Sequence, residues 1–279
     1  MEKYIVILLF ISVSFISCNK EEDLGESGLL PINVEKSALD EYLEDTFSDP
    51  YNMIIDYKWA GNEVNINKTL LPVQLEKVAP FCDLLHKLWI EPYELHVSGE
   101  FVKKYIPKQV VLVGSHNLNS DGTNTYGIAE AGRKITLFSI NHVDIKSKKV
   151  VLAEFSTLHH EFAHILHQTK NYDPSYKIIT PDGYTSTWYD SSNKDARAKG
   201  FVTAYAMENP DEDFVEMIAH LIILTPSEWT DMLSEAGTDG AILIQLKEQK
   251  VAQYLSQKWN INIYELRDLV QQRLNEILE

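Results

Sequence analysis

The chain has 279 residues, 44% of them hydrophobic and 24% charged, a globular balance that excludes wholesale disorder. A formal net charge of −16 argues against a nucleic-acid partner, because phosphate contacts need clustered lysine and arginine. Only two cysteines are present, Cys18 in the leader and Cys82, so no disulfide framework is expected; Cys82, among Phe81, Leu84 and Leu85, reads as a small buried hydrophobe.

The first residues read as a targeting segment. Lys3 gives a basic start, and Ile5 to Ile16 is an apolar stretch too short to span a bilayer comfortably. The ending Phe15-Ile16-Ser17-Cys18 resembles a bacterial lipobox, which implies a signal peptide over residues 1–17 and lipidation at Cys18. Residues 18–30 are polar and acidic, a flexible tether, and residues 31–279 are expected to form a single domain. Lys20-Glu21-Glu22-Asp23 resembles an export signal of some Gram-negative bacteria, which implies an outer-membrane lipoprotein exposed at the cell surface rather than on the periplasmic side.

Leu39, Tyr42, Leu43 and Phe47 repeat with a helical period, and Met53 to Trp59 alternates as a strand. Leu75, Val78, Phe81, Cys82, Leu85 and Trp89 predict a helix that Pro80 should kink or split. Val110 to Val113 reads as a buried strand closed by Gly114. Gly114 to Gly132, rich in Asn, Ser and Gly, reads as a polar loop. Ile135 to Ile140 reads as a strand, either a plain sheet strand or an edge for an extended substrate.

Val151, Phe155, Leu158, Phe162 and Ile165 then mark the buried stripe of a helix. On that helix lies His160-Glu161-Phe162-Ala163-His164. Residues four apart share a helix face about 6 Å apart along the axis, so both imidazoles converge on one ion. Zinc takes histidine nitrogens at about 2.0–2.1 Å and keeps a position for water in catalytic sites, whose proton Glu161 is placed to accept. The flanking His159 reads as a solvated neighbour, and His142 and His220 as structural or exposed.

A zinc site needs a further ligand. His167 shares the face but lies about 10 Å along an unbroken helix from His160, so it is expected beside the site rather than on the metal. Downstream, Asn209-Pro210 marks a helix start, with Glu212 in the first turn and Glu216 one turn on; Asp213 and Glu216 remain alternatives to Glu212. Beyond Pro210 the chain is nearly all helix, with Thr225-Pro226-Ser227-Glu228 as a capping box. Strands first and helices last imply an α+β layout, with a small mixed sheet, a central motif helix and a helical C-terminal part.

Glu212-Asp213-Phe214-Val215-Glu216 resembles the Glu-x-Phe-Ala-Glu stretch of peptidases of the anthrax lethal factor type. That resemblance implies Glu212 as third zinc ligand, Glu216 as its supporting carboxylate and Tyr205 as hydrogen-bond donor to the transition state. The lipobox, the HEFAHILHQ run, the Phe201–Ala206 segment and NPDEDFVE together are similar to zinc-binding metallopeptidase lipoproteins associated with TonB-dependent nutrient import. Membership implies a zincin-like fold of gluzincin type, a peptide or glycopeptide substrate, outer-membrane lipid at Cys18 and a TonB-dependent transporter as partner. The competing expectation is a non-catalytic lipoprotein that captures nutrients at the surface for a transporter.

Overall fold

The computed structural model describes residues 36–59, 61, 65, 67–120, 122–130 and 132–278. The expected signal peptide, Cys18 and the tether lie outside the described residues. In chain order the elements are α1 (Ala38–Leu43), β1 (Ile54–Asp56), α2 (Leu75–Leu85), α3 (Glu91–His96), α4 (Gly99–Tyr105), β2 (Gln109–Leu112), β3 (Asn117–Leu118), β4 (Asn124–Thr125), β5 (Gly127–Glu130) and β6 (Lys134–Leu137). The second half is helical: α5 (Lys148–Thr169), α6 (Asn193–Ala198), α7 (Pro210–Ile223), α8 (Pro226–Tyr254) and α9 (Ile263–Leu278). This is the expected mixed α+β chain, helix-rich with a small sheet. No helix among the described residues is long and apolar enough to cross a membrane.

The sheet has the order β1-β2-β6-β5, with β1, β2 and β6 parallel and β5 antiparallel to β6. Two expectations change here. The Ile135 strand is internal, and the edges are β1 and, beside the Ile135 strand, β5, which lies within the stretch read as a polar loop. The physical reason is visible in the burial. Ile135, Thr136 and Leu137 are all buried, so β6 has both faces covered, as an internal strand requires. Gly127-Ile128-Ala129-Glu130 alternates too weakly to announce a strand, and pairing with β6 supplies what propensity does not. The same stretch also holds the two-residue strands β3 and β4, paired antiparallel.

Pro80 does not split α2, which runs unbroken to Leu85 and loosens into a wider π-type turn only at His86–Ile90. The stripe on α5 is buried throughout, with Phe155 against Phe81 and Phe162 edge-on to Trp89. Each such side chain contributes about 1.5–3 kcal/mol by leaving water. Val110, Leu112, Ile135 and Leu137 join this core, while Val111, Val113 and Phe138 close a small second cluster with Leu70 on the other face of the sheet.

Helix starts are set by their caps. Asn209 accepts from the backbone N–H groups of Asp211 and Glu212, and Thr225 and Glu228 form the expected capping box of α8. Gly237, with φ of 70°, kinks α8. Helix α7 packs along α5 on one side and against α8 and α9 on others.

One buried ion pair ties α7 to α8. Lys247 Nζ lies 2.6 Å from Asp213 Oδ2, both side chains fully buried, and donates to the Gly200 carbonyl at 2.8 Å. Tyr184 donates its hydroxyl to the same carboxylate, and the ammonium sits 3.7 Å from the centre of the Phe201 ring. Removing one partner of such a pair strands the other charge without solvent. Lys247→Ala is expected to lower unfolding stability by about 3–5 kcal/mol in a denaturant titration; a loss under about 1 kcal/mol would show that the pair is dispensable.

Candidate metal centre

Helix α5 presents His160 and His164 toward the first turns of α7, whose cap at Asn209 fixes where Glu212 emerges. One donor atom from each of His160, His164 and Glu212 lies within 4.8 Å of the others. His160 Nε2 is 3.0 Å and His164 Nε2 3.4 Å from Glu212 Oε2. Glu212 Oε2 is buried, and both rings approach it without completing a well-aligned hydrogen bond. A buried carboxylate is costly unless positive charge sits against it, and here only imidazoles and whatever they hold can supply that charge. Two imidazoles and one carboxylate converging on a common point are the donor set that zinc takes, so the residues fit that ion.

The outer nitrogens are fixed as a metal site requires. His160 Nδ1 donates to Glu216 Oε1 at 2.8 Å, which leaves Nε2 as the lone-pair donor. Thr203 Oγ1 donates to Glu216 Oε2 at 2.6 Å and accepts from the Ala206 N–H at 3.1 Å. His164 Nδ1 lies 3.1 Å from His167 Nε2. Burial, then the charge of His164, lowers the His167 pKa to about 4, so its ring is neutral and has a lone pair with which to accept a bond. His167 thus stands behind His164.

Charge balance makes the same point. Burial alone would lower the pKa of His160, but the carboxylates of Glu212 and Glu216 outweigh it and raise the value to about 10. Burial works against both acids as well; the rings of His160 and His164 nevertheless hold Glu212 well below the usual carboxylate range. Glu216 is held at about 2 by His160, His220 and Thr203. The polar seam is built around positive charge.

Glu161 is buried beside the imidazoles, and burial raises its pKa against the opposing pull of His160 and His164. The Ala129 backbone on β5 also lowers it, as the smallest of these effects. Strand β5 lies directly on α5: a Cβ on Gly127 would fall 2.7 Å from Thr157 Cγ2 and 3.0 Å from Glu161 Cγ, so this contact needs glycine. The Tyr205 ring centre is 5.8 Å from that of His160 and 4.9 Å from Trp188. Its phenol is pushed above the ordinary range by burial and then by Glu212 and Glu208, and stays protonated. These groups open on a cleft of about 710 Å3, lined also by Thr125, Asn193 and Glu208.

The structure therefore brings together His160, His164, Glu212, Glu161, Tyr205, Glu216 and His167. Asp213, an alternative ligand by sequence, turns the other way to Lys247. His159 departs from expectation: it is fully buried, its Nδ1 lies 3.3 Å from the Tyr93 hydroxyl, and burial lowers its pKa to about 3. His142 stacks on His116. His220 is half-buried on the cleft wall, with Nδ1 donating to the Glu216 carbonyl at 2.9 Å. Thr203, Trp188, Glu208 and Gly127 went unnoticed in sequence. For Thr203 the only signal was a hydroxyl two residues ahead of the expected tyrosine.

Comparison with known proteins agrees with this geometry. No curated protein matches the chain in sequence. A crystal structure of a Bacteroides caccae protein described as a zinc-binding metallo-peptidase superposes with a TM-score of 0.73 at 29% identity, covering 85% of this chain and 92% of that one. The family model described as "putative zinc-binding metallo-peptidase" matches residues 32–264, most of the chain, and the chain belongs to that family.

Proposed function

We propose that the chain is a zinc-dependent hydrolase of the HExxH-plus-glutamate type that cleaves peptide or glycopeptide amide bonds. The observation that carries this reading is the convergence of His160 Nε2, His164 Nε2 and the buried Glu212 carboxylate on one point, with donor atoms within 4.8 Å of one another. These three residues would hold the metal. Zinc, when bound, supplies electrophilic polarisation of a scissile carbonyl and acidification of water.

The protein's own groups divide the remaining work. Glu161, close to the imidazoles and raised toward neutrality, accepts a proton at its carboxylate and returns it to the leaving amine. Tyr205, protonated and half-buried beside His160, donates to the developing oxyanion. Glu216 and His167 hold the two imidazoles in the tautomer that turns Nε2 inward. Strand β5, an edge lying on Glu161, offers backbone groups for an extended peptide to pair with. The lipobox ending at Cys18 and the acids after it support an outer-membrane lipoprotein at the cell surface. The resemblance of its motifs supports a role beside a TonB-dependent transporter.

Purified protein is expected to hold one zinc per chain, and Glu161→Ala to keep that zinc while peptide hydrolysis falls by about 10²–10⁴. Retained turnover in the zinc-loaded variant would rule out the mechanism. Thr203→Val removes the hydroxyl that holds Glu216, so zinc affinity in a chelator competition should drop about 10–100-fold, with Thr203→Ser restoring most of it. An unchanged affinity in Thr203→Val would mean that Glu216 is held in place without it.

A further inference from the structure

The charges around the cleft do not cancel. Four carboxylates on three elements surround the centre, and three of them have positive or donor partners within it. Glu212 faces both imidazoles, Glu216 accepts from His160 and Thr203, and Glu161 lies beside the two rings, whose charge favours its carboxylate. Glu208 is different. It lines the cleft, is exposed, has only the Tyr205 phenol and the His160 ring as favourable neighbours, and pairs with no lysine or arginine among the described residues. Among the described residues, no lysine or arginine lines the cleft.

The setting of Glu208 adds a second observation. It follows the turn Tyr205–Met207, so its side chain shares a wall with the Tyr205 ring, and Trp188 packs edge-on against that ring at 4.9 Å. Trp188 and Tyr205 both contribute aromatic surface to the cleft. Aromatic faces attract ammonium and guanidinium groups through the ring quadrupole, and a carboxylate among them supplies the counter-charge. The opposite wall, Asn119 with Thr123, Asn124 and Thr125, brings amides and hydroxyls; Lys68 lies behind it, donating to Asn119 Oδ1 at 3.1 Å, and is not among the residues that line the cleft.

We propose that Trp188, Tyr205 and Glu208 form a cation subsite beside the metal centre, which selects substrates carrying an ammonium or guanidinium group close to the scissile bond. The group is either the α-ammonium of an N-terminal residue or the side chain of a lysine or arginine. The same wall disfavours acidic residues, because a second carboxylate there meets Glu208 without an intervening cation. Glu208 is a specificity residue in this scheme, touching the substrate away from the reacting atoms. The inference rests on the proposed zinc site, which anchors the substrate next to it.

Amino-acid hydroxamates test it without needing turnover, since the hydroxamate chelates zinc and places the rest of the probe in the cleft. Affinities of the zinc-loaded full chain are measured by calorimetry for alanine hydroxamate and N-acetyl-alanine hydroxamate, and for the N-acetyl hydroxamates of lysine, norleucine and glutamate. A preference for free over acetylated alanine identifies the α-ammonium, and a preference for lysine over norleucine identifies the side chain. In either case the cationic probe should bind about three- to tenfold tighter than its neutral partner. That ratio should collapse toward one in Glu208→Gln, and Glu208→Lys should turn the preference toward the glutamate probe, with zinc content measured in each variant. Equal affinities in the native chain, or a cationic preference that survives Glu208→Gln, would overturn the subsite while leaving the zinc site standing. Failure of every hydroxamate to bind a zinc-loaded chain would instead overturn the proposed function, and the subsite with it.

Discussion

The polar seam between α5 and α7 is the constraint on which the rest depends. Two helices that pack through leucines and phenylalanines over most of their length meet, at one level, through two imidazoles and two carboxylates. Groups of this kind are costly to bury, and each needs a partner placed to within a few tenths of an ångström. The caps, the sheet and the buried ion pair can all be understood as holding that level in register. Asn209 sets the start of α7, the apolar stripe of α5 fixes its rotation, and Lys247 pulls the next residue, Asp213, to the far side.

The division of α7 is instructive because neighbouring acids do opposite things. Glu212 and Glu216, four apart, share the face toward α5, whereas Asp213 is rotated by one helical step into the core. A one-residue slip of this helix would exchange a metal-facing carboxylate for a core-facing one. The position of the Asn209 side chain over the first backbone N–H groups is therefore a functional matter as much as a structural one.

Much of this was legible in the sequence, and the reason lies in range. His160, Glu161 and His164 sit within one turn and a helix start is written in Asn209-Pro210, so local rules reach both. The packing of the two helices follows from their stripes. What escaped depends on partners far along the chain. His159 looked solvated because its burial comes from Tyr93, 66 residues away. β5 looked like loop because its strand character comes from β6 and from the close approach of α5 to Gly127. The Ile135 strand was assigned a possible edge role because periodicity reports which faces are buried and says nothing about neighbours in the plane of the sheet. Thr203 belongs to no spacing rule; its hydroxyl gains meaning only from Glu216 on another element.

The glycine at 127 carries a consequence for ligands. Because that strand touches Glu161 with no side chain between them, the floor of the cleft and its rim form one rigid step rather than two adjustable parts. A bound chain that pairs with the rim is thereby held at a fixed height above the carboxylate. In the proposed peptidase, bulky substituents would then point outward to water or across to the aromatic wall, where selectivity could vary without disturbing the groups around Glu161.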